Sequence, residues 1–277
     1  MADRLAYLGP EGTYSEQAAI DYDPRLERVA YNAIPLVVAA AGNREVDEAI
    51  VPIENSLEGT VTFTVDLLIH ESSLKIRGEV VVPIHHCLLI DPGTRLDQIE
   101  VVYSHPQALA QCRGYLTRNL PKAESVASLS TAGAVLDMRE SRHTAAAISS
   151  KRAAELFDAT ILDANIEDVF NNQTRFVVLG ESDSRPTGRD RTSICFDFAQ
   201  DAPGVLYDTL GELARRGINM IKIESRPDRR SLGQYVFLID LEGHREDDII
   251  RDALEGIRSR VSMFKVLGSY PRASIPD

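Results

Sequence analysis

The chain has 277 residues, of which 44% are hydrophobic and 26% are charged, and its formal net charge at pH 7 is −12. This composition is that of a soluble globular protein, and the length is sufficient for two domains. The negative charge argues against nucleic acid and anionic membrane surfaces as partners, because both require a basic footprint. Any anionic ligand would therefore need a local cationic site.

The cysteines and the N-terminus favour a reducing, cytoplasmic location. The chain has three cysteines, an odd number, and their scattered positions fit neither a disulfide framework nor metal-ligand spacing. The N-terminal residues lack the apolar core of a signal peptide, and no apolar run approaches the ~18–20 residues that a membrane helix requires. His85 and His86 would point to opposite faces of a strand, and no histidine pair has helical spacing, so we expect no metal site.

The first part of the chain alternates short apolar strands with helices. The pattern predicts strands over 5–8 and 49–53, and a helix that begins at Thr13 behind a capping-box pattern. Small polar side chains follow each strand, Thr13 after the first and Asn55 after the second. A helix cap explains each of them as well as a role in binding does, so both alternatives stay open here.

The alternation continues through the middle of the chain. β-rich runs over 75–82 and 84–90 are typical of strands that cross from one lobe to another, and further strands are predicted over 101–103 and 143–148. Repeated over roughly 180 residues, this order implies an α/β fold with largely parallel sheets. Because parallel strands end at the same edge of a sheet, the polar residues that follow them can converge on one ligand.

The segment over 171–180 ends in an apolar run, which is typical of a strand buried on both faces. Thr174 and Arg175 precede that run, where an antiparallel strand returning between two lobes would place them. The Thr174 hydroxyl could donate a hydrogen bond to a leaving group, and the Arg175 guanidinium could bind a carboxylate with two parallel hydrogen bonds. A polar loop that leads into a strand is the alternative that these residues alone leave open.

The pattern changes after a polar segment over 181–190, whose proline and glycine are typical of a linker. The elements predicted beyond it are a strand, a helix, two strands, a helix and a strand, over 192–198, 204–216, 218–225, 234–241, 246–260 and 263–268. This βαββαβ order is that of a ferredoxin-like α+β module. The sequence thus predicts a two-lobed α/β domain followed by a smaller α+β domain.

Four motifs, in this order, resemble those of the prephenate dehydratase family. They are GPEGTYS at 9–15, PIENS at 52–56, SHPQ at 104–107 and NQTRF at 172–176. The C-terminal module is similar to an ACT regulatory domain, with GVL at 204–206 and ESRP at 224–227. Val205 stands where that family usually has alanine, and its extra methyl groups would tighten an effector pocket. The resemblance covers nearly the whole chain.

The resemblance implies a fold, an activity and a mode of regulation. The fold is a two-lobed cleft like that of periplasmic binding proteins over 1–182, with an ACT domain over 190–270. The activity is the decarboxylating dehydration of prephenate to phenylpyruvate in L-phenylalanine biosynthesis, which requires no cofactor. L-Phenylalanine would bind the ACT domain at a subunit interface and inhibit, so we expect a homo-oligomer, either a dimer or a tetramer. Because the first strand begins at Leu5, we expect no chorismate mutase activity, which some relatives carry in an N-terminal helical domain.

The resemblance also assigns residues to three sites. The expected catalytic residues are Thr174, Arg175, Asn55, Ser104 and Gln111, and the expected substrate-binding residues are Thr13, Glu54, Ser56, Thr131 and Phe176. The expected effector site comprises Gly204, Val205, Leu206, Asn219, Met220, Glu224 and Ser225, with residues 224–227 forming a turn that holds it together. Alternatives stay open for Glu54, as a structural partner of Arg175, and for Ser104 and Thr131, as helix caps.

The expected mechanism has Thr174 assist the departing hydroxyl. Because a threonine hydroxyl is a poor acid, neighbouring polar groups would share the proton. Arg175 would bind the pyruvyl carboxylate, together with N–H groups near Thr13 or Thr131. Two other functions remain as alternatives: an arogenate dehydratase, which acts on the amino analogue, and a non-catalytic sensor of aromatic compounds. The Thr174 hydroxyl favours an enzyme over the sensor.

Overall fold

The computed structural model describes residues 3–200, 202–229 and 233–273 of the chain. In chain order the strands are β1 (Arg4–Leu8), β2 (Glu27–Tyr31), β3 (Glu48–Asn55), β4 (Gly59–Thr60), β5 (Lys75–Pro83), β6 (Cys87–Ile90), β7 (Val101–Ser104), β8 (Glu124–Ala127), β9 (Ala145–Ser149), β10 (Thr160–Ala164), β11 (Gln173–Gly180), β12 (Asp190–Asp197), β13 (Met220–Pro227), β14 (Tyr235–Glu242) and β15 (Met263–Pro271). The helices are α1 (Tyr14–Tyr22), α2 (Ile34–Gly42), α3 (Thr62–Asp66), α4 (Pro106–Gln111), α5 (Arg113–Asn119), α6 (Gly133–Glu140), α7 (Lys151–Phe157), α8 (Val205–Ala214) and α9 (Asp248–Arg258), with a π-helical turn at Leu67–Glu71 and a 3₁₀ turn at Leu96–Gln98.

The first lobe is built on a mixed sheet of strand order β2-β1-β3-β11-β5, with the short β4 beside β3. β1 runs parallel to β2 and β3, whereas β11 lies antiparallel between β3 and β5. Strand β11 therefore returns to this sheet after the chain has passed through the other lobe. The predicted antiparallel return is confirmed, but Thr174 and Arg175 lie within the strand rather than ahead of it.

The second lobe holds a sheet of order β10-β6-β9-β7-β8. β7 is parallel to β8 and β9, whereas β6 is antiparallel to β9 and β10. The prediction of largely parallel sheets is therefore wrong, since the strands that leave and re-enter a lobe run against their neighbours. The sequence gives no signal for β10, because all 5 of its residues are exposed and no apolar alternation marks it.

Two segments of chain join the lobes. Residues 84–86 lead from β5 to β6, and residues 165–172 lead from β10 to β11. The predicted crossing between lobes is confirmed, but 84–86 are outside any strand. The cleft between the lobes lies beside these two segments, and it is there that side chains from both sheets meet.

The C-terminal module has the predicted βαββαβ order, β12-α8-β13-β14-α9-β15, on an antiparallel sheet of order β13-β14-β12-β15. Leu213 of α8 and Ile257 of α9 pack on Ile194 and Ile239 of that sheet. Residues 224–227 belong to β13, because they pair with β14 between Tyr235 and Leu238. The prediction of a turn at these four positions is wrong.

The C-terminal module packs closely on the first lobe, since side chains of β14 and β15 join that lobe's hydrophobic core. Gly268 marks the closest approach, because a Cβ there would lie 2.0 Å from the Ile76 carbonyl oxygen. Nearby, Lys265 donates from Nζ to the carbonyl oxygens of Leu68 at 2.6 Å and Ser72 at 2.7 Å. These carbonyl groups end a helix and lack partners within it, so the lysine both caps the helix and fastens the module.

Candidate active site

A cavity of about 120 Å³ lies where the two lobes meet. The side chains around it come from α1, the end of β3, the start of β11, the two joining segments, α4 with its N-cap, and the turn before α6. They are Tyr14, Asn55, Ile84, His86, His105, Gln107, Ala108, Gln111, Thr131, Asn172 and Thr174. Every described residue that lines the cavity is uncharged when the histidines are neutral. The cavity is thus a polar site without a fixed charge.

A chain of hydrogen bonds runs along one wall of the cavity from Thr174 to His86. Asn55 Nδ2 donates to Thr174 Oγ1 at 2.9 Å and to Asn172 Oδ1 at 2.7 Å. Asn172 Nδ2 donates in turn to Gln111 Oε1 at 3.1 Å, which also lies 2.9 Å from His86 Nε2. Neutral groups linked in this way hold one another in fixed orientations.

The orientation of the Asn55 amide decides what Thr174 can do. Asn55 Oδ1 accepts hydrogen bonds from the backbone N–H groups of Leu57 and Glu58, both at 3.0 Å. The NH₂ group must therefore face Thr174, and the Thr174 oxygen acts as an acceptor toward it. Within the described part of the chain, the hydroxyl proton of Thr174 has no acceptor. This proton is available to a ligand in the cavity.

His86 and Gln111 offer the cavity further unused polar groups. His86 Nδ1 and Gln111 Nε2 are buried and lack hydrogen-bond partners among the described residues. Burial lowers the pKa of His86, and the bond to Gln111 opposes that shift. His86 is therefore neutral near pH 7, donating from Nε2 to Gln111 and keeping an acceptor lone pair on Nδ1. A buried donor and a buried acceptor without partners are costly unless a ligand satisfies them.

Six of the ten residues predicted for catalysis or substrate binding lie outside the cavity lining, and three of the six have places in the structural framework. Thr13 caps α1, with its hydroxyl donating to the Pro10 carbonyl at 2.8 Å. Ser104 is fully buried at the end of β7 and donates to the Ile148 carbonyl at 2.7 Å. Phe176 is 2% exposed and belongs to the core of the first lobe. Each of these three side chains already has a structural partner, and their assignment to the substrate site stays a prediction.

Arg175 points away from the cavity, on the opposite face of β11 from Thr174. Its guanidinium pairs with Glu54 at 3.1 Å, with Glu79 at 3.2 Å and with Asp240 at 2.9 Å. The guanidinium therefore has its hydrogen-bonding positions filled by three carboxylates and the Tyr270 hydroxyl. The geometry moves Arg175 and Glu54 from the substrate site to the domain interface, where Glu54 is the structural partner that the sequence left open.

Of the remaining predicted residues, Thr131 lines the cavity and Ser56 anchors a segment that carries cavity residues. Thr131 lines the cavity, and the cap of the turn before α6 is instead Ser130, whose Oγ accepts from the Gly133 N–H at 2.9 Å. Ser56 lies outside the cavity, between the Asn171 carbonyl and the Gln173 N–H, at 3.2 and 2.9 Å. It anchors the joining segment that carries Asn172 and Thr174.

Sequence reasoning missed several residues that line the cavity: Tyr14, Ile84, His86, His105, Gln107, Ala108 and Asn172. His86 was hidden by the predicted strand over 84–90, on which adjacent side chains point apart. Four of the others lie inside the recognised motifs, close to residues that were chosen: Tyr14 near Thr13, His105 and Gln107 near Ser104, and Asn172 near Thr174. Tyr14 donates to the His85 carbonyl at 2.5 Å, and burial raises its pKa well above the ordinary value, so it stays protonated.

The predicted effector residues lie on two different sides of the C-terminal module. Gly204 caps α8 with a φ of 91°, a left-handed conformation that glycine adopts without strain, and Val205 and Leu206 begin the helix. Asn219 and Met220 lead into β13. The assignment of these residues, as of the exposed Ser225, to an effector site stays a prediction.

Glu224 instead faces the first lobe. Its Oε2 accepts from the Thr60 hydroxyl at 2.5 Å, and Lys222 and Arg226 flank its carboxylate at 3.5 and 3.0 Å. Burial raises the pKa of Glu224, and these partners lower it by more, so the net pKa lies below the ordinary value. The structure thus corrects the assignment of Glu224 and places it at the domain interface.

The described residues contain no group of three or more His, Cys, Asp and Glu side chains arranged to hold a metal ion. Cys87, Cys112 and Cys195 are buried free thiols, and burial raises the pKa of each. Over the same ranges, none of the helices has both the length and the apolar character that crossing a membrane requires.

Comparisons with known proteins agree on one family. A family model described as prephenate dehydratase matches residues 5–184, and one described as ACT domain matches residues 193–259. The chain is 40% identical to the prephenate dehydratase of Methanocaldococcus jannaschii over 98% of this chain and 99% of that relative.

Two solved structures share the whole fold. A prephenate dehydratase from Arthrobacter aurescens in complex with L-Phe has a TM-score of 0.90 and 34% identity, covering 97% of this chain and 90% of that one. The quorum quenching acylase GqqA has a TM-score of 0.87 and 33% identity, covering 97% of this chain and 98% of that one.

Proposed function

Since this chain belongs to the prephenate dehydratase family, we propose that the cavity at Thr174 converts prephenate to phenylpyruvate, carbon dioxide and water. One observation carries the mechanism. The Asn55 amide, fixed by two backbone N–H groups, makes the Thr174 oxygen an acceptor and leaves its proton free to reach the leaving hydroxyl of the substrate.

The reaction is balanced by one proton and moves no electrons to an outside acceptor. The bond between the ring and its carboxylate breaks, and carbon dioxide departs. The electron pair of that bond enters the ring, which becomes aromatic as the bond to the hydroxyl oxygen breaks. That oxygen takes one proton and leaves as water. The enzyme therefore has to hold the substrate and supply a hydrogen bond and a proton to the departing oxygen.

The absence of fixed charge in the described cavity lining suits the loss of the ring carboxylate. A cation bound tightly to that carboxylate would stabilise the ground state and raise the barrier, because the group loses its charge in the transition state. The pyruvyl carboxylate, which keeps its charge, would be held by neutral donors. The unpartnered Nε2 of Gln111 is one of them, and it replaces the role first expected of Arg175.

Arogenate dehydratase remains the second candidate, because one observation favours it. Arogenate carries an ammonium in place of the keto group, and an ammonium requires acceptors. The buried Nδ1 of His86 is an acceptor without a partner among the described residues. The preference between the two substrates therefore turns on whether this lone pair faces an ammonium or another donor.

The similarity to an acylase raises a third function, which the cleft does not support. Acyl hydrolysis needs a nucleophile in contact with a base. Thr174 Oγ1 contacts the Asn55 amide, and Ser104 Oγ donates to the Ile148 carbonyl. Neither hydroxyl contacts a base within the described residues.

For regulation, we propose that L-phenylalanine binds the ACT domain near Gly204, Val205 and Leu206 and inhibits turnover. The support is the ACT family match and the L-Phe complex of the related Arthrobacter enzyme. We further propose a homo-oligomer, whose subunits would share this effector site, and a cytoplasmic location, consistent with three reduced, buried thiols.

The test is turnover of the purified protein, followed as phenylpyruvate formed from prephenate and as phenylalanine formed from arogenate, each with and without L-phenylalanine. We expect prephenate to give the higher kcat/KM and L-phenylalanine to suppress it. A higher kcat/KM for arogenate would transfer the function to the second candidate. Failure with both substrates would contradict the proposal.

A further inference from the structure

One carboxylate of the ACT domain reaches the strand that carries Thr174. Asp240, on β14, accepts a hydrogen bond from Arg175 Nη2 at 2.9 Å, and its side chain is 3% exposed. Its other oxygen accepts from the Ser193 hydroxyl at 2.5 Å, which fixes the carboxylate in place. The contact therefore joins the sheet of the ACT domain to the residue next to Thr174.

Asp240 belongs to an ionic cluster. Around Arg175 the cluster holds three cations and three carboxylates: Arg175, Arg191, Lys222, Glu54, Glu79 and Asp240. Lys222 also connects it to Glu224, at 3.5 Å. Burial lowers the pKa of Arg175, and Asp240 leads the groups that raise it by more, so the guanidinium stays charged. Because the cluster is largely buried, removal of one carboxylate charge leaves a cation without compensation.

The cluster is linked to the Thr174 hydroxyl through the end of β3. Glu54 faces Arg175 and Asn55 faces Thr174 across the two strands, and the register then shifts between Arg175 and Phe176. An irregularity of this kind interrupts the ladder locally, and beyond it the end of β3 is held by pairing with β11 and β4 together with side-chain contacts. Arg175 supplies such a contact from Nε to Glu54 at 3.2 Å, and the next residue, Asn55, donates to Thr174.

The neighbouring strand of the ACT domain contacts the same end of β3. Lys222, on β13, lies 3.0 Å from the Glu54 carboxylate and donates to the Thr60 hydroxyl at 2.9 Å. Thr60 in turn pairs with Glu54 through β4. Two strands of the ACT domain thus approach Glu54, one directly and one through Arg175.

We propose that Asp240 is a positioning residue for catalysis, which through Arg175 and Glu54 holds Asn55 in the place where it orients the Thr174 hydroxyl. A movement of β14 on effector binding would then reach the cleft through this carboxylate. The inference rests on the proposed dehydratase function and adds the route by which the ACT domain acts on it.

The experiment compares Asp240→Asn with the wild type, using the full chain. For Asp240→Asn we expect kcat for prephenate to fall about ten- to hundredfold, because a small displacement of a catalytic group has that effect. KM should stay within about threefold, since Asp240 touches no part of the cavity. Inhibition by L-phenylalanine should weaken at least about fivefold, while its calorimetric binding constant stays within about threefold. A merely structural role would not separate binding from inhibition.

Two further variants sharpen the comparison. Glu242→Gln is the matched control, because Glu242 lies on the same strand, pairs with Arg272 at 2.6 Å and is 42% exposed. It should behave as the wild type. Ser193→Ala keeps every charge and removes one hydrogen bond from Asp240, so it should fold and lower kcat in the same direction by a smaller factor. If Asp240→Asn does not fold, the kcat of Ser193→Ala tests the positioning role of Asp240 in its place.

Wild-type kcat and inhibition in Asp240→Asn would overturn the inference, as would loss of L-phenylalanine binding, which would place Asp240 in the effector site itself. If Asp240→Asn does not fold, unchanged kinetics in Ser193→Ala would overturn it. A wild type that does not convert prephenate would instead contradict the proposed function.

Discussion

Thr174 and Arg175 are adjacent on one strand and serve two different domains. The Thr174 hydroxyl enters the cleft, where it accepts from Asn55 at 2.9 Å, whereas the Arg175 guanidinium meets Asp240 of the ACT domain at 2.9 Å. Successive side chains of a strand point to opposite faces, so a single short segment can present one group to the substrate and the next to the regulatory domain. This arrangement separates two roles that the family motif presents side by side.

Replacement of Arg175 should therefore change stability far more than substrate affinity. Arg175→Met removes the 2.9 Å partner of the buried Asp240 carboxylate, which is 3% exposed, and leaves the buried Glu79, 2% exposed, with Arg191 as its remaining cation. Breaking a buried pair in this way costs about 3–5 kcal/mol of unfolding free energy. We expect KM for prephenate to stay within about threefold, because the guanidinium does not line the cavity. Denaturant unfolding and steady-state kinetics measure the two quantities.

Arg215→Met is a suitable control for that variant. Arg215 also pairs with a glutamate, Glu212, but its side chain is 58% exposed. Glu212 keeps Arg216 at 2.7 Å and Arg260 at 2.9 Å when Arg215 is replaced, so the unfolding free energy of Arg215→Met should hardly change. For Arg175→Met, the opposite result would be normal stability together with a KM that rises about hundredfold. It would show that Arg175 binds the substrate.

The stability of the protein should depend on His86 as the pH falls. Burial lowers the pKa of His86 in the folded state from its ordinary value of 6.5, so the unfolded chain binds this proton first. The group therefore costs no stability well above pH 6.5, and stability is lost as the pH falls below that value toward the folded-state pKa. When the pH is lowered from about 7.5 to about 5.5, His86→Gln should lose less unfolding free energy than the wild type. These two pH values lie roughly on either side of the pKa of a histidine in the unfolded chain.

Urea unfolding at the two pH values tests this expectation, with His70→Gln as the control because His70 is exposed. The His70 variant should follow the wild type at both pH values. A wild type and a His86→Gln protein with the same dependence on pH would contradict the assignment of a buried, neutral His86.

Gly268 should be indispensable for the docking of the ACT domain. In Gly268→Ala the new Cβ would lie 2.0 Å from the Ile76 carbonyl oxygen. Because the Cβ is fixed to one backbone and the oxygen belongs to another, no side-chain rotation relieves the clash, and the two domains would have to separate. We expect loss of about 1–3 kcal/mol or more, as for other overpacked sites, together with weaker inhibition by L-phenylalanine. Thermal unfolding and inhibition assays measure both effects.

Gly42→Ala provides the matched glycine control. A Cβ on Gly42 would meet nothing within 4 Å, and the residue ends α2. The substitution should be neutral or stabilise by about 0.4–1 kcal/mol, since alanine restricts the unfolded chain. If Gly268→Ala and Gly42→Ala changed the unfolding free energy equally, the contact between Gly268 and Ile76 would not be the cause of the change.

The sequence placed several cleft residues well because their positions follow from chain geometry. Asn55, Thr131 and Thr174 lie at or near strand ends that converge, Gln111 ends α4, and all four line one cavity. Arg175 could not be placed in the same way. Alternation predicts that it faces away from Thr174, but it does not tell what covers that face, and Asp240 is 65 residues further along the chain.

Other misplacements have equally specific causes. Ser104 was expected to follow a strand over 101–103, with a helix cap as one alternative, but β7 extends through it and its hydroxyl donates to the Ile148 carbonyl. His86 was expected in a strand, whereas residues 84–86 form an extended link that turns one histidine into the cleft. In both cases an error of a few residues in an element boundary changed the direction of a side chain, and boundaries depend on tertiary contacts that local patterns do not contain.

The most direct test of the account is the kcat of Thr174→Ala on prephenate, measured beside Thr174→Ser. Removing the hydroxyl leaves the Asn55 amide in place and takes away the group that faces the leaving oxygen, so kcat should fall about 10²–10³-fold. The serine variant keeps the hydroxyl and should retain kcat within about tenfold of the wild type. A folded Thr174→Ala protein with near-normal kcat would contradict the account.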